Sequence, residues 1–345
     1  AIEASLFGNE IPVPVYDALL TAIDEHLPAL NRYLGLKKKS LGLDELHMWD
    51  LYVDTSTEFD LKLSIDEAFE EVFAATAPLG ADYVQTLREA KAARWVDVYE
   101  TPGKHHGAYS WGVYGVHPYI LMNFEGTVDS TSTLAHELGH SMHSYYSNNT
   151  QPYAKANYTL FAAEVASTVN EILLSQYMLE KYADNKAAQL SLLGTLLEHF
   201  RTTVFRQTLF ATFERETHAM QERGEALTKE ALCALYYGIN QKFYGDACVV
   251  DAPVQNEWMR IPHFYSAFYV YQYATGFSAA VSIARRIQRE GQPAVDGYRK
   301  LLAAGGSLPP LDGLRLAGVD MATPQPVREA LEWFEEILGR FEALS

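Results

Sequence analysis

With 345 residues, 48% of them hydrophobic and 21% charged, the chain has the composition of a folded protein, which excludes disordered, collagenous and low-complexity classes. Its 27 Lys and Arg against 44 Asp and Glu leave a formal charge of −17, which repels phosphate backbones, so no nucleic-acid partner is expected. No apolar run approaches the length of a membrane span, and the first residues lack the basic and apolar regions of a signal peptide; no membrane association and a cytoplasmic location are expected. The two cysteines, Cys233 and Cys248, make no metal or disulfide pattern and read as small buried or half-buried residues.

In chain order, apolar spacing predicts a helix from Val15 to Tyr33, followed by Lys37, Lys38 and Lys39 as a solvated face. A second helix is expected from Asp82 to Val96. Between Gly103 and Gly126 the chain turns rich in Gly, Tyr and Trp, and Tyr119 to Phe124 reads as a strand, so a small sheet is expected just before a helix at Ser130. Asp129, Ser130 and Ser132 are the candidate caps of that helix. Lys186 to Arg223, with only Gly194 as a breaker, predicts one or two long helices, and further helices are expected over Thr228–Tyr244, Ala267–Glu290 and Pro326–Leu344. The fold class is mainly α with one small β element, and residues 1–345 read as a single domain.

The chemistry concentrates at His136-Glu137-Leu138-Gly139-His140. Residues four apart on a helix lie about 40° apart in projection and about 6 Å apart along the axis, so both imidazoles can reach one ion. Glu137 points elsewhere on the helix and is free to act as a general base on water, the zincin arrangement of two histidines and a glutamate. A catalytic zinc needs a third protein ligand and one open position. His143 would strain the geometry as a third ligand from the same helix, and Tyr146 stands where a metzincin needs a histidine. Glu164 and Glu171 remain. Seven residues turn a helix through about 700°, so they share one face, and one could bind the ion while the other supports a ligand histidine.

PYILMNFEGT (118–127), TLAHELGHSMH (133–143), FAAEVASTVNE (161–171) and IPHFYSAFYVYQYATG (261–276) together resemble the thimet oligopeptidase family of zinc metallopeptidases, in its oligoendopeptidase F branch. AIEASLFGNEIPVPVYD (1–17) is similar as well, so the resemblance spans essentially the whole chain. It implies a zincin-like helical catalytic domain with one Zn²⁺ held by His136, His140 and Glu164, with Glu171 in support and Glu137 as the base. It also implies donors for the developing negative charge at His263 and Tyr271, with Tyr265 and Tyr269 on the substrate side. The implied function is endopeptidase cleavage of oligopeptides.

In related zincins an edge strand beside the metal helix binds peptide by β-addition. Tyr119–Phe124 reads equally as that edge, with Tyr119 and Gly107 facing substrate, or as an internal structural strand. Lys104-His105-His106-Gly107 departs from the branch's usual sequence before GAYS, and its His pair reads as solvated. Members of the family begin upstream with a helical lobe that closes the substrate cleft, and this sequence opens about where the catalytic portion would. An upstream lobe is therefore an expected partner. The competing expectation is a zinc- and peptide-binding lobe that is inactive without it.

Overall fold

The computed structural model describes residues 1–53, 59 and 61–345, and divides them into two compact units. One comprises Ala1–Thr57, Gln189–Thr275 and Ala322–Ser345; the other comprises Glu58–Ala188 and Gly276–Met321. The architecture is mainly helical, as expected. No helix among the described residues is long and apolar enough to cross a membrane.

In the first unit the opening long helix runs from Val13 to Ser40, past the predicted end at Tyr33. Leu19, Ile23, Leu30 and Tyr33 line its buried face. Phe334, from helix Gln325–Leu344, packs its ring against Tyr33, Phe200 and Phe205. The expectation of a solvated lysine run fails at Lys37, which is 2% exposed. Its Nζ donates to Glu198 and to the Leu51 carbonyl, both at 2.9 Å, while Arg201 bonds the other Glu198 oxygen at 2.8 Å. A buried cation persists only when paired and hydrogen-bonded in this way. Lys38 and Lys39 keep solvent access. Both cysteines are buried and free.

Gly194 does not break the helix that contains it. The α-helix Lys186–His199 instead passes into a π-helical segment, Phe200–Phe205, and resumes as Arg206–Glu222. The wider turn lets Phe200, Arg201, Val204 and Phe205 all turn inward. Helix Lys229–Tyr244 begins one residue after its cap, Thr228, and the last helix starts at Gln325, both within a residue of expectation. The helix expected from Ala267 begins only at Tyr271, because Phe268 takes a left-handed backbone, φ 54°.

In the second unit, helix Ile65–Ala75 opens on a capping box in which Ser64 and Glu67 satisfy each other's backbone N–H groups. Helix Ala81–Ala92 stops short of the predicted Val96, and Arg94 turns the chain with φ 59°. Val96 and Asp97 then form strand β1, Tyr109–Trp111 form β2 and Tyr119–Leu121 form β3. The sheet order is β1-β3-β2, with β1 parallel and β2 antiparallel to β3, Ser110 standing opposite Ile120. The small sheet precedes the HELGH helix as expected, and of the two readings of the strand at Tyr119 the edge fails: the strand is central. Both of its backbone edges are taken, by Val96 and Asp97 of β1 on one side and by Tyr109–Trp111 of β2 on the other.

Two helices of this unit carry the chemistry, Val128–Thr150 with HELGH and Leu160–Lys181 with both glutamates. The first is capped by Thr127, not by Asp129, Ser130 or Ser132; Thr127 Oγ1 accepts the Ser130 N–H at 3.1 Å, and Ser130 Oγ accepts the Thr127 N–H at 2.9 Å.

Candidate metal centre

The two helices meet at Gly139. A β-carbon there would lie 2.6 Å from the Ala166 carbonyl oxygen and from Ser167 Cα, both backbone atoms that cannot rotate away. Glycine is therefore what lets the HELGH helix approach the glutamate helix closely enough to share an ion. Gly139→Ala is expected to push them apart, lowering stability by about 1–3 kcal/mol and weakening zinc binding about tenfold or more. Thermal melts and zinc titrations of the variant check this.

Asn170 ties the same pair. Fully buried, it donates from Nδ2 to the Ala135 carbonyl at 3.1 Å and accepts from the Tyr83 hydroxyl at 3.1 Å. Ala135 directly precedes the first histidine, so this bridge fixes the depth at which His136 enters the site. On the outer side, Ser110 of β2 shares a hydrogen bond of 2.8 Å with Ser141 of the helix. Gly276 lies 3.7 Å, at its notional β-carbon, from Cβ of Glu164.

Three atoms converge within this frame. His136 Nε2 and His140 Nε2 stand 3.1 Å apart, and Glu164 Oε2 is 3.5 Å from the first and 3.6 Å from the second. A tetrahedral zinc with bonds of about 2.0–2.1 Å separates its ligand atoms by about 3.3–3.4 Å, so the triangle has the dimensions zinc needs. Two imidazoles and one carboxylate are also the donor set that zinc takes. Glu171 meets the other side of His136, with Oε1 3.1 Å from Nδ1. That contact places the proton on Nδ1 and leaves Nε2 free to ligate. Of the two glutamates left open by spacing, the structure thus puts Glu164 with the histidine Nε2 atoms and Glu171 behind them.

The electrostatics ask for a cation. Burial works against a protonated His136, but its hydrogen bond to Glu171 and the charges of Glu171, Glu137 and Glu164 outweigh this and hold it at about 9. Burial works against an ionised Glu164 too, yet the His140 hydrogen bond and the two histidine charges bring it below the usual range. Glu137, 5% exposed, is lifted above the usual range chiefly by burial. Its Oε2 is buried with no hydrogen-bond partner, as befits a base whose partner arrives with the reaction. His143 is no ligand: it is buried, stacked on Tyr158 at 3.5 Å, and pushed down to about 3, first by burial and then by His140.

The other expected residues lie as follows. In the unit containing them, His263 Nε2 stands 3.4 Å from the Tyr273 hydroxyl, which donates to Tyr269 Oη at 3.2 Å, and the His263 and Tyr269 rings stack at 5.8 Å. Tyr265 is 90% exposed. Tyr271 is fully buried, its ring 5.1 Å from that of Tyr16. His105, His106 and Gly107 are exposed, and the His105 and Gly107 carbonyls accept from Asn123. Tyr119 is half exposed and packs on His117. Asn170 and Tyr83 are not among the expected residues, although an Asn between Val169 and the run Ile172-Leu173-Leu174 is a signal for a buried polar bridge.

A family model for peptidase family M3 matches residues 1–333. The chain is 50% identical over 344 residues to oligopeptidase PepF of Bacillus subtilis, covering all of this chain and 51% of that protein. Among solved structures, it is similar to a protein of Chlamydophila abortus with 39% identity and a TM-score of 0.93, covering 99% of this chain and 57% of the other. It is also similar to oligoendopeptidase-F of Enterococcus faecium, with 36% identity and a TM-score of 0.79, covering 99% and 55%. The chain spans about half the length of the curated relatives it matches.

Proposed function

Because the chain belongs to peptidase family M3, in its oligoendopeptidase F branch, we propose that it is the zinc-binding catalytic portion of an endopeptidase that cleaves short peptides. The observation that carries this is the His136, His140, Glu164 triangle, with Glu137 on the same helix and its Oε2 unpartnered. One Zn²⁺ bound by these three residues would supply a Lewis acid that makes water nucleophilic near neutral pH and polarises the scissile carbonyl. Glu137 Oε2 takes the proton of the attacking water and passes it to the leaving nitrogen. Glu171 keeps His136 in the tautomer that presents Nε2.

The peptide runs extended along β2, whose outer edge offers backbone N–H and C=O groups that read no side chains. Such an edge suits cleavage of many sequences. Donors to the developing negative charge are the roles proposed for His263 and Tyr271, with Tyr265, Tyr269, Tyr119 and Gly107 on the substrate side. Single Tyr→Phe changes at 265, 269, 271 and 273 separate these roles, since a donor's loss costs about a hundredfold in kcat and a packing hydroxyl's loss does not.

The second reading is a lobe that binds zinc and peptide without cleaving. Turnover of a quenched mixed-sequence peptide, before and after chelation and zinc return, decides. Zinc-restored cleavage establishes the peptidase; bound zinc without cleavage leaves the binding lobe.

A further inference from the structure

Glu214 is a carboxyl that the proposed chemistry does not use. It lies on helix Arg206–Glu222 and is 4% exposed. One oxygen accepts the backbone N–H of Phe268 at 2.7 Å, and the other is buried with no hydrogen-bond partner. Phe268 stands at φ 54°, a backbone conformation that costs a residue with a side chain. Its ring is packed edge-on against Tyr16 at 5.8 Å and tilted against His218 at 4.7 Å. Without Glu214 that buried N–H would have no acceptor.

The position matters because of what flanks it. Upstream is the turn Pro262–Tyr265 with His263; downstream the helix starts at Tyr271. Apolar periodicity alone would carry that helix back to Ala267. The left-handed step at Phe268 stops it, and Tyr269 instead stacks on His263. We infer that Glu214 is a positioning residue: by anchoring the Phe268 amide it holds the His263–Tyr273 segment in the arrangement that brings His263, Tyr269 and Tyr273 together. This rests on the reading that the segment serves the peptidase reaction.

The anchor is also sensitive to pH. Burial pushes the Glu214 carboxyl up to about 7, against the Phe268 hydrogen bond. Tyr16, from helix Val13–Ser40, is the titratable group that interacts with it, and Arg215, Asp17 and Tyr271 act in turn on Tyr16; His218, on the helix of Glu214, packs on the Phe268 ring. Arg215 pairs with Asp17. Tyr16 is held well above the usual phenol range, first by burial and then by Glu214. Ionised carboxylates accept more strongly than neutral ones, so the anchor tightens as pH rises through about 7.

The test compares Glu214→Ala and Glu214→Gln with the wild-type chain by hydrogen–deuterium exchange, zinc content and peptide turnover against pH. The alanine variant is expected to show faster exchange confined to residues 264–270 and a kcat lower by about ten- to a hundredfold, with KM and zinc content within about twofold. The glutamine variant keeps an acceptor, so it is expected to retain most of kcat at alkaline pH and to lose the ionisation near 7. Should Glu214→Ala fail to fold, that lost ionisation carries the test alone. Wild-type exchange in the alanine variant, or looser exchange with wild-type kcat and pH profile, overturns the inference. If the wild-type chain cleaves no peptide, the peptidase reading fails instead, and exchange decides the anchor: local loosening upholds it, retained protection overturns it.

Discussion

Glu137→Gln is expected to leave one zinc per chain and to lower peptide turnover by about a hundred- to ten-thousandfold, the range a general base commands. The change keeps the side chain's shape and removes only its ability to take a proton. Glu137 is not part of the ligand triangle, since the converging atoms belong to His136, His140 and Glu164. Zinc content should therefore stay level while kcat falls and KM moves little. Metal analysis and steady-state kinetics on the same preparation read both quantities. Turnover within about threefold of wild type would remove Glu137 from the mechanism.

Glu164→Ala is expected to do the reverse, weakening zinc binding by at least about a hundredfold with loss of activity in proportion. Glu171 cannot take its place. Its Oε1 faces His136 Nδ1 at 3.1 Å, whereas the converging atoms are the Nε2 atoms of both histidines. Glu171→Gln should accordingly cost less, about ten- to a hundredfold in zinc affinity, because it removes the support of a ligand and not a ligand. Competition with a fluorescent chelator measures both. Tight zinc in Glu164→Ala together with its loss in Glu171→Gln would invert the two assignments.

Much of this site was legible because helical geometry converts spacing into direction. A spacing of four from His136 to His140, and of seven from Glu164 to Glu171, places each pair on one face whatever the surroundings. The choice between the glutamates was not legible from spacing, since both share a face; it depends on how the two helices meet at Gly139. The helices themselves were found where apolar spacing dominates, and misjudged where a tertiary contact overrides it. Glu214 stops the helix at Phe268, and Arg94 turns the chain before Val96 joins the sheet.

Lys37 shows the same limit for charge. In sequence it is one of three adjacent lysines, but Glu198, 161 residues away, makes it a buried partner. Strand order was beyond reach for a related reason: β1 and β2 are two and three residues long, too short to show alternation. The edges belong to Val96–Asp97 and Tyr109–Trp111, whereas the sequence shows only the stronger strand at Tyr119.

X-ray absorption at the zinc edge reads whether two imidazoles and one carboxylate hold a single zinc. The expected spectrum shows one zinc per chain with nitrogen and oxygen neighbours at about 2.0–2.1 Å, scattering from two imidazole rings, and no sulfur. A shell at about 2.3 Å, the zinc–thiolate distance, or a spectrum with fewer than two imidazoles, would contradict it.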